Sequence, residues 1–156
     1  MKQLDSTPLL NSIPETCDPE IQEIVRYWLS IHENARLPDR RSIDPCAIFL
    51  LLPGITLIEI SRSPCRFKFR LLGERMNIYH GQNYTGRWLD ELFPHFDQTT
   101  TLADFLSVAE EGIPNYRLGL PLLTYGKSFI EMERVFLPFR DGGDSVEILM
   151  AYTIFR

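Results

Sequence analysis

The sequence predicts an α+β fold: an N-terminal amphipathic helix, a strand hairpin, several short helices with one longer one, and three further strands that complete a roughly five-stranded antiparallel sheet. Three observations carry this reading. Between Arg66 and Pro94 the hydrophobic period changes from two residues, in RFKFRLL, to helical spacing in Met76, Tyr79 and His80, with Gly73 at the change. Leu102, Phe105, Leu106 and Ala109 hold the helical spacing for longer, until Gly112 ends it. Beyond Gly112 come three apolar, strand-like runs, separated by the glycine-bearing stretches TYGKS and RDGGDS.

In chain order, residues 1–17 read as a flexible terminus, 18–54 as a helical extension and 55–156 as the domain proper. Asp18 suits a helix N-cap because its carboxylate can accept first-turn N–H groups, and Pro19 suits the first helical position. Ile21, Ile24, Val25, Trp28, Ile31 and His32 then share one helical face. Residues 34–42 are polar, contain Pro38 and read as a loop. A second start at Asp44-Pro45 leads an apolar helix through Leu52, closed by Pro53-Gly54. Residues 55–61 and 66–72 read as strands joined at Ser63-Pro64. A short helix ends at Gly81, another begins near Thr85, and the longer one spans 101–111. The last three strands are expected over 116–123, 129–139 and 146–155.

A chain of 156 residues fills one domain with a substantial core. With 44% hydrophobic and 24% charged residues, the composition argues against disorder as a description of the whole. The formal charge of -5 argues against a nucleic-acid surface, because binding a polyanion requires cations to neutralise phosphates. Arg66, Lys68 and Arg70 read as the solvated side of a strand near the sheet edge. Cys17, Cys46 and Cys65 are scattered, without a CxxC pair, which speaks against a disulfide framework or zinc site and fits a reducing cytosol. The start MKQLDSTPLLNSIPETCDP lacks the apolar core of a signal peptide, and the apolar run from Ala47 to Leu52 is far shorter than the roughly 20 residues of a membrane span. The expectation is a soluble cytoplasmic protein. His95, Asp97, Asp90 and Glu91 lack an HExxH arrangement and read as a solvated loop, not a metal site. GxGxxG, GxxxxGK and GxSxG are all missing, so nucleotide and serine-hydrolase chemistry has no sequence support.

The element order, with the wording LPDRRSIDP, FRLLGERM and YTGRWLDEL, resembles a bacterial family of small one-domain PAS proteins, from about Trp28 to the end. The resemblance implies helices on one face of the sheet, a cavity between the two, and a sensory or regulatory role exercised through protein contacts. By position, Phe69, Leu71, Met76, Tyr79, His80, Phe105, Tyr116, Leu118 and Met132 are the candidates to line that cavity, with aromatic walls and a few polar tips. Each is also a side chain that any close-packed core requires. His80 offers an imidazole to haem iron or to a ligand's hydrogen bond. Haem-binding PAS proteins place the proximal histidine on the longer flanking helix, and residues 101–111 contain none. Cys65-Arg66-Phe67 is similar to the NCRF stretch of flavin photosensors, but that stretch lies on a helix, whereas here Pro64 precedes and a strand follows. The cofactor is left open. With the last strand closing the chain, the signalling partner is expected to be a separate protein, and the stripe Ile21 to Ile31 is expected to pair two copies as a homodimer. No catalytic residue is assigned. Two other readings stand beside this one: a small NTF2-like enzyme using a pocket His and Asp as acid and base, and a ligand-free PAS adaptor with a filled core.

Overall fold

The computed structural model describes residues 13–119 and 130–156. Helix α1, Pro19–Ser30, begins as its sequence dictates: Pro19 opens the first turn and the Asp18 carboxylate accepts the Glu20 N–H at 2.9 Å. Strands β1 (Ile55–Ser61), β2 (Arg66–Leu72), β3 (Asn115–Gly119), β4 (Met132–Phe139) and β5 (Ile148–Phe155) form one antiparallel sheet in the order β2-β1-β5-β4-β3. Helices α2 (Glu74–His80), α3 (Leu89–Leu92) and α4 (Thr100–Glu111) lie between β2 and β3 in the chain. α4 is capped by Thr99, whose hydroxyl accepts the Leu102 N–H, and ends at Gly112 with φ +66°, a left-handed conformation glycine adopts without penalty.

The sheet separates two cores because alternate strand residues point to opposite faces. Phe67, Phe69, Phe105, Val108, Phe136 and Leu149 belong to the core under α3 and α4. Val135, Leu137, Phe139, Met150 and Tyr152 belong to the core on the other face, which is covered by α1. Ile21, Ile24, Val25 and Trp28 are all buried there, and the Trp28 indole N–H donates to the Pro138 carbonyl at 2.9 Å. Each such side chain contributes about 1.5–3 kcal/mol gross on burial. The stripe expected to pair two subunits is therefore spent on the protein's own sheet, because the α1 face of β4 and β5 has apolar residues to cover.

Local chemistry changes several expected boundaries. The apolar stretch before β1 is a 3-10 helix, Phe49–Gly54, instead of an α-helix through Leu52. Pro53 lies inside it, and a proline lacks the N–H and restrains its predecessor, so an α-helical ladder cannot run through. The helix expected near Thr85 begins at Leu89 because the backbone from Gly86 to Trp88 lies along β2, with Gly86 N–H donating to the Phe69 carbonyl and Phe69 N–H to that of Arg87. That cover occupies the β2 edge. Beneath it Arg66 forms a two-pronged pair with Asp90 and lies 4.2 Å from the Trp88 ring, so part of the expected basic face is paired. Within LPDRRSIDP, the Asp39 carboxylate accepts N–H groups from Arg41 and Gly142, tying this loop to the β4–β5 turn. Hydrogen bonds from the Arg41 side chain and backbone hold the Asp39 carboxyl well below the usual carboxylate range. Residues 120–123, Phe129 and the TYGKS turn lie outside the described residues. Among the described residues no helix is long and apolar enough to cross a membrane, and no cluster of three or more His, Cys, Asp or Glu could hold a metal ion.

Candidate functional site

Between the sheet and α2–α4 lies a cavity of about 60 Å3. One buried water needs roughly 10–15 Å3 on this measure, so the space exceeds a single solvent site. Its floor lies on the central strands, where Thr56 pairs with Ala151 and Ala151 with Phe136 across β1, β5 and β4. Ala151 is the small member of that row, and its single methyl leaves the space that a larger residue would fill. Thr153 and Arg134 form the next cross-strand pair on the same face. The opposite wall comes from Met76, Tyr79 and His80 on α2, Leu89 on α3, and Thr101 and Phe105 on α4.

Phe105 is anchored by rings on both sides, with centroids 4.6 Å from Phe136 and 5.1 Å from Phe67. The His80 ring lies among Tyr84, Phe93 and Phe69, at centroid distances of 5.2, 5.6 and 6.3 Å. Helix α2 ends there because Gly81, at φ +77°, reverses the chain and returns its N–H to the Asn77 carbonyl. The start of α2 is fixed by Gly73: a Cβ there would sit 2.5 Å from the Pro53 carbonyl oxygen and 2.6 Å from that of Ile55. Thr56 is 2% exposed, and its Oγ1 is buried without a hydrogen-bond partner among the described residues.

A charged cluster closes the β4 side. The Arg134 guanidinium, 2% exposed as a side chain, donates to Asp104 on α4 and to the Asn115 side chain on β3, and lies 3.7 Å from the Phe136 ring centroid. Arg117 donates twice to the same Asp104 carboxylate, at 2.8 and 3.0 Å. Burial pulls the Arg134 pKa down to about 10, against the opposing pull of Asp104, so the group is cationic at neutral pH. Burial favours the neutral acid of Asp104, but the Arg117 hydrogen bond and the Arg134 charge outweigh it and hold the carboxyl below its ordinary value.

Phe69, Met76, Tyr79, His80, Phe105 and Met132 of the expected set line the cavity. Leu71, Tyr116 and Leu118 do not, and each miss has a cause in strand phase. Leu57 pairs with Leu71 but Ile58 with Phe69, so Arg70 is an extra residue that reverses the alternation. Leu72 is consequently buried with Phe69, while Leu71 is 50% exposed. On β3 the polar residue Arg117 faces the cavity side to meet Asp104, which turns Tyr116 and Leu118 to the other face. There Tyr116 O–H donates to Glu133 at 2.8 Å, and that carboxylate also receives Arg156 and the Asp18 N–H. Burial and the Glu133 hydrogen bond push the Tyr116 phenol pKa upward. Thr56, Thr101, Arg134, Ala151 and Thr153 were not anticipated as lining residues. The available signals were two: the charges Glu133 and Arg134 inside an apolar strand run, and Asp104 at helical spacing with Thr101, Phe105 and Val108.

The five-stranded order, the helices over one face and the cavity between them are now defined, and a sequence-family comparison matches residues 17–153 to the PAS domain. The chain belongs to the PAS domain family. The matched span includes α1 with the sheet and its helices, so the PAS region of this protein takes in the helix that covers the second sheet face. A search of the curated proteins finds no match. PAS membership supports a sensory or regulatory role at the level of class. Membership of that family replaces the NTF2-like alternative as the fold.

Proposed function

We propose that this PAS protein senses a small molecule bound in the cavity between the sheet and α2–α4 and conveys its occupancy through contacts with another protein. The observation that carries this reading is the buried Thr56 hydroxyl, which faces a mostly apolar cavity without a partner among the described residues. A buried polar group left unsatisfied costs free energy, and a bound molecule can supply the missing bond. The wall helix is also tied to α1, which gives occupancy a route outward. Arg75 at the start of α2 donates to Glu20 of α1 at 2.9 Å and to the Thr153 carbonyl at 3.2 Å, and the Tyr152 O–H donates to the same Glu20 carboxylate at 2.9 Å. A ligand that displaces Met76 or Tyr79 acts on the helix that carries Arg75.

The cavity's size favours a second reading. At about 60 Å3 it is less than half the volume of the apolar cavity of about 150 Å3 known to admit benzene, as suits an adaptor with a nearly filled core. Native mass spectrometry of the purified protein separates the two. A released small molecule that is missing from Ala151→Leu supports the sensor. Wild-type protein that carries nothing, even after supplementation with extract from its host, leaves the adaptor.

A further inference from the structure

We infer that the cavity selects a small neutral molecule with a compact apolar body and one hydrogen-bonding group, and that the Thr56 hydroxyl recognises that group. The inference rests on the sensor reading and adds the ligand's chemistry to it. Two observations on the floor support it. Thr56 is 2% exposed with its Oγ1 unpartnered among the described residues, so an apolar guest would leave it unsatisfied while a polar one would not. The Ala151 methyl beside it sets the volume, about 60 Å3, which holds a compact molecule and excludes an extended ring system in this arrangement.

Charge decides against an acid. Arg134 is the one permanently charged residue among the described lining residues, and its two terminal nitrogens already donate to Asp104 and Asn115. An anion entering the cavity would have to compete for the Arg134 guanidinium with the Asp104 carboxylate, which Arg117 holds in place from the other side. Removing a charge from water without a new partner is far costlier than removing a hydroxyl.

The test uses three probes of the same branched shape: propan-2-ol, isobutane and acetate. Each is titrated into the full chain and followed by amide and methyl NMR shifts at Thr56, Ala151 and Thr153. Propan-2-ol is expected to bind about tenfold more tightly than isobutane, the difference one satisfied buried hydrogen bond makes, and acetate is expected not to saturate. Thr56→Val replaces the hydroxyl with a methyl of similar shape, and should reduce that ratio to about one or reverse it. Ala151→Leu should abolish binding of both neutral probes. Should Thr56→Val fail to fold, the wild-type ratio still decides. Equal affinity for propan-2-ol and isobutane, or tighter binding of acetate, overturns the assigned chemistry while the sensor reading stands. Saturable binding that survives Ala151→Leu places the site elsewhere and overturns both. Wild-type protein that binds none of the probes also overturns both.

Discussion

Replacing Asp104 by asparagine keeps the side chain's shape and removes its charge, which isolates what the carboxylate does for the cavity wall. In the wild type Arg134 is 2% exposed as a side chain and Asp104 is 11% exposed, so the variant leaves a cation in the interior without its counter-ion. Breaking a buried pair in this way costs about 3–5 kcal/mol, most of it the uncompensated charge. Two contacts survive the change: the Asn115 side-chain oxygen and the Phe136 ring face both still meet the Arg134 guanidinium. The expected loss is therefore at the lower end, about 3 kcal/mol, or roughly 6–12 °C in Tm for a chain of this size. Urea unfolding followed by circular dichroism at pH 7 measures it. The sign of the pH dependence follows from the depressed Asp104 pKa. The stability it provides is fully present above the ordinary carboxyl value of about 3.9 and is lost as pH falls through the lower folded value. The gap between wild type and Asp104→Asn should thus narrow below about pH 4. The double variant Asp104→Leu with Arg134→Met removes both charges and should recover most of the loss. A single-variant loss under about 1 kcal/mol, or a double variant no better than the single, would show that water already solvates Arg134.

Three further outcomes test the rest of the structure. Leu71→Ser should leave stability within about 0.5 kcal/mol of wild type while Leu72→Ala costs about 2–4 kcal/mol, since the extra residue at Arg70 exposes one and buries the other; the opposite order in denaturant melts would restore unbroken alternation. Phe105→Ala should lose about 3 kcal/mol, near the low end for a buried phenylalanine because the ring already borders empty space while packing on Phe67 and Phe136, and a loss near 1 kcal/mol would mean a loosely held wall. Deleting residues 1–34 should yield insoluble or unfolded chain, because it uncovers Val135, Leu137 and Met150; recovery of a folded monomer from a dimeric parent would instead show that α1 serves mainly to pair subunits.

What the sequence determined by itself was local: where the period is two, where it is three to four, and which residues start and stop each element. Asp18-Pro19, Gly81 and Gly112 each do in the structure what their chemistry requires at a helix end, and β1, β2, β4 and β5 lie within the runs that predicted them. Six of the expected lining residues reach the cavity for the same reason, because Phe69, Met76 and Phe105 recur at the spacing of a buried face. Tertiary structure alone decided the phase of β2 and β3 and the fate of α1. One extra residue at Arg70 turns Leu71 outward, and this depends on pairing with β1, which no window of β2 contains. Tyr116 and Leu118 are apolar enough for either face, and the demand of Asp104 for Arg117 selects which. The stripe on α1 said only that an apolar surface must be covered. Whether its own sheet or a second copy covers it depends on what β4 and β5 expose on that face, and Leu137 and Met150 lie more than a hundred residues further along the chain. Hydrophobic burial fixes how much apolar surface leaves water without naming its partner, so only the assembled sheet could assign it.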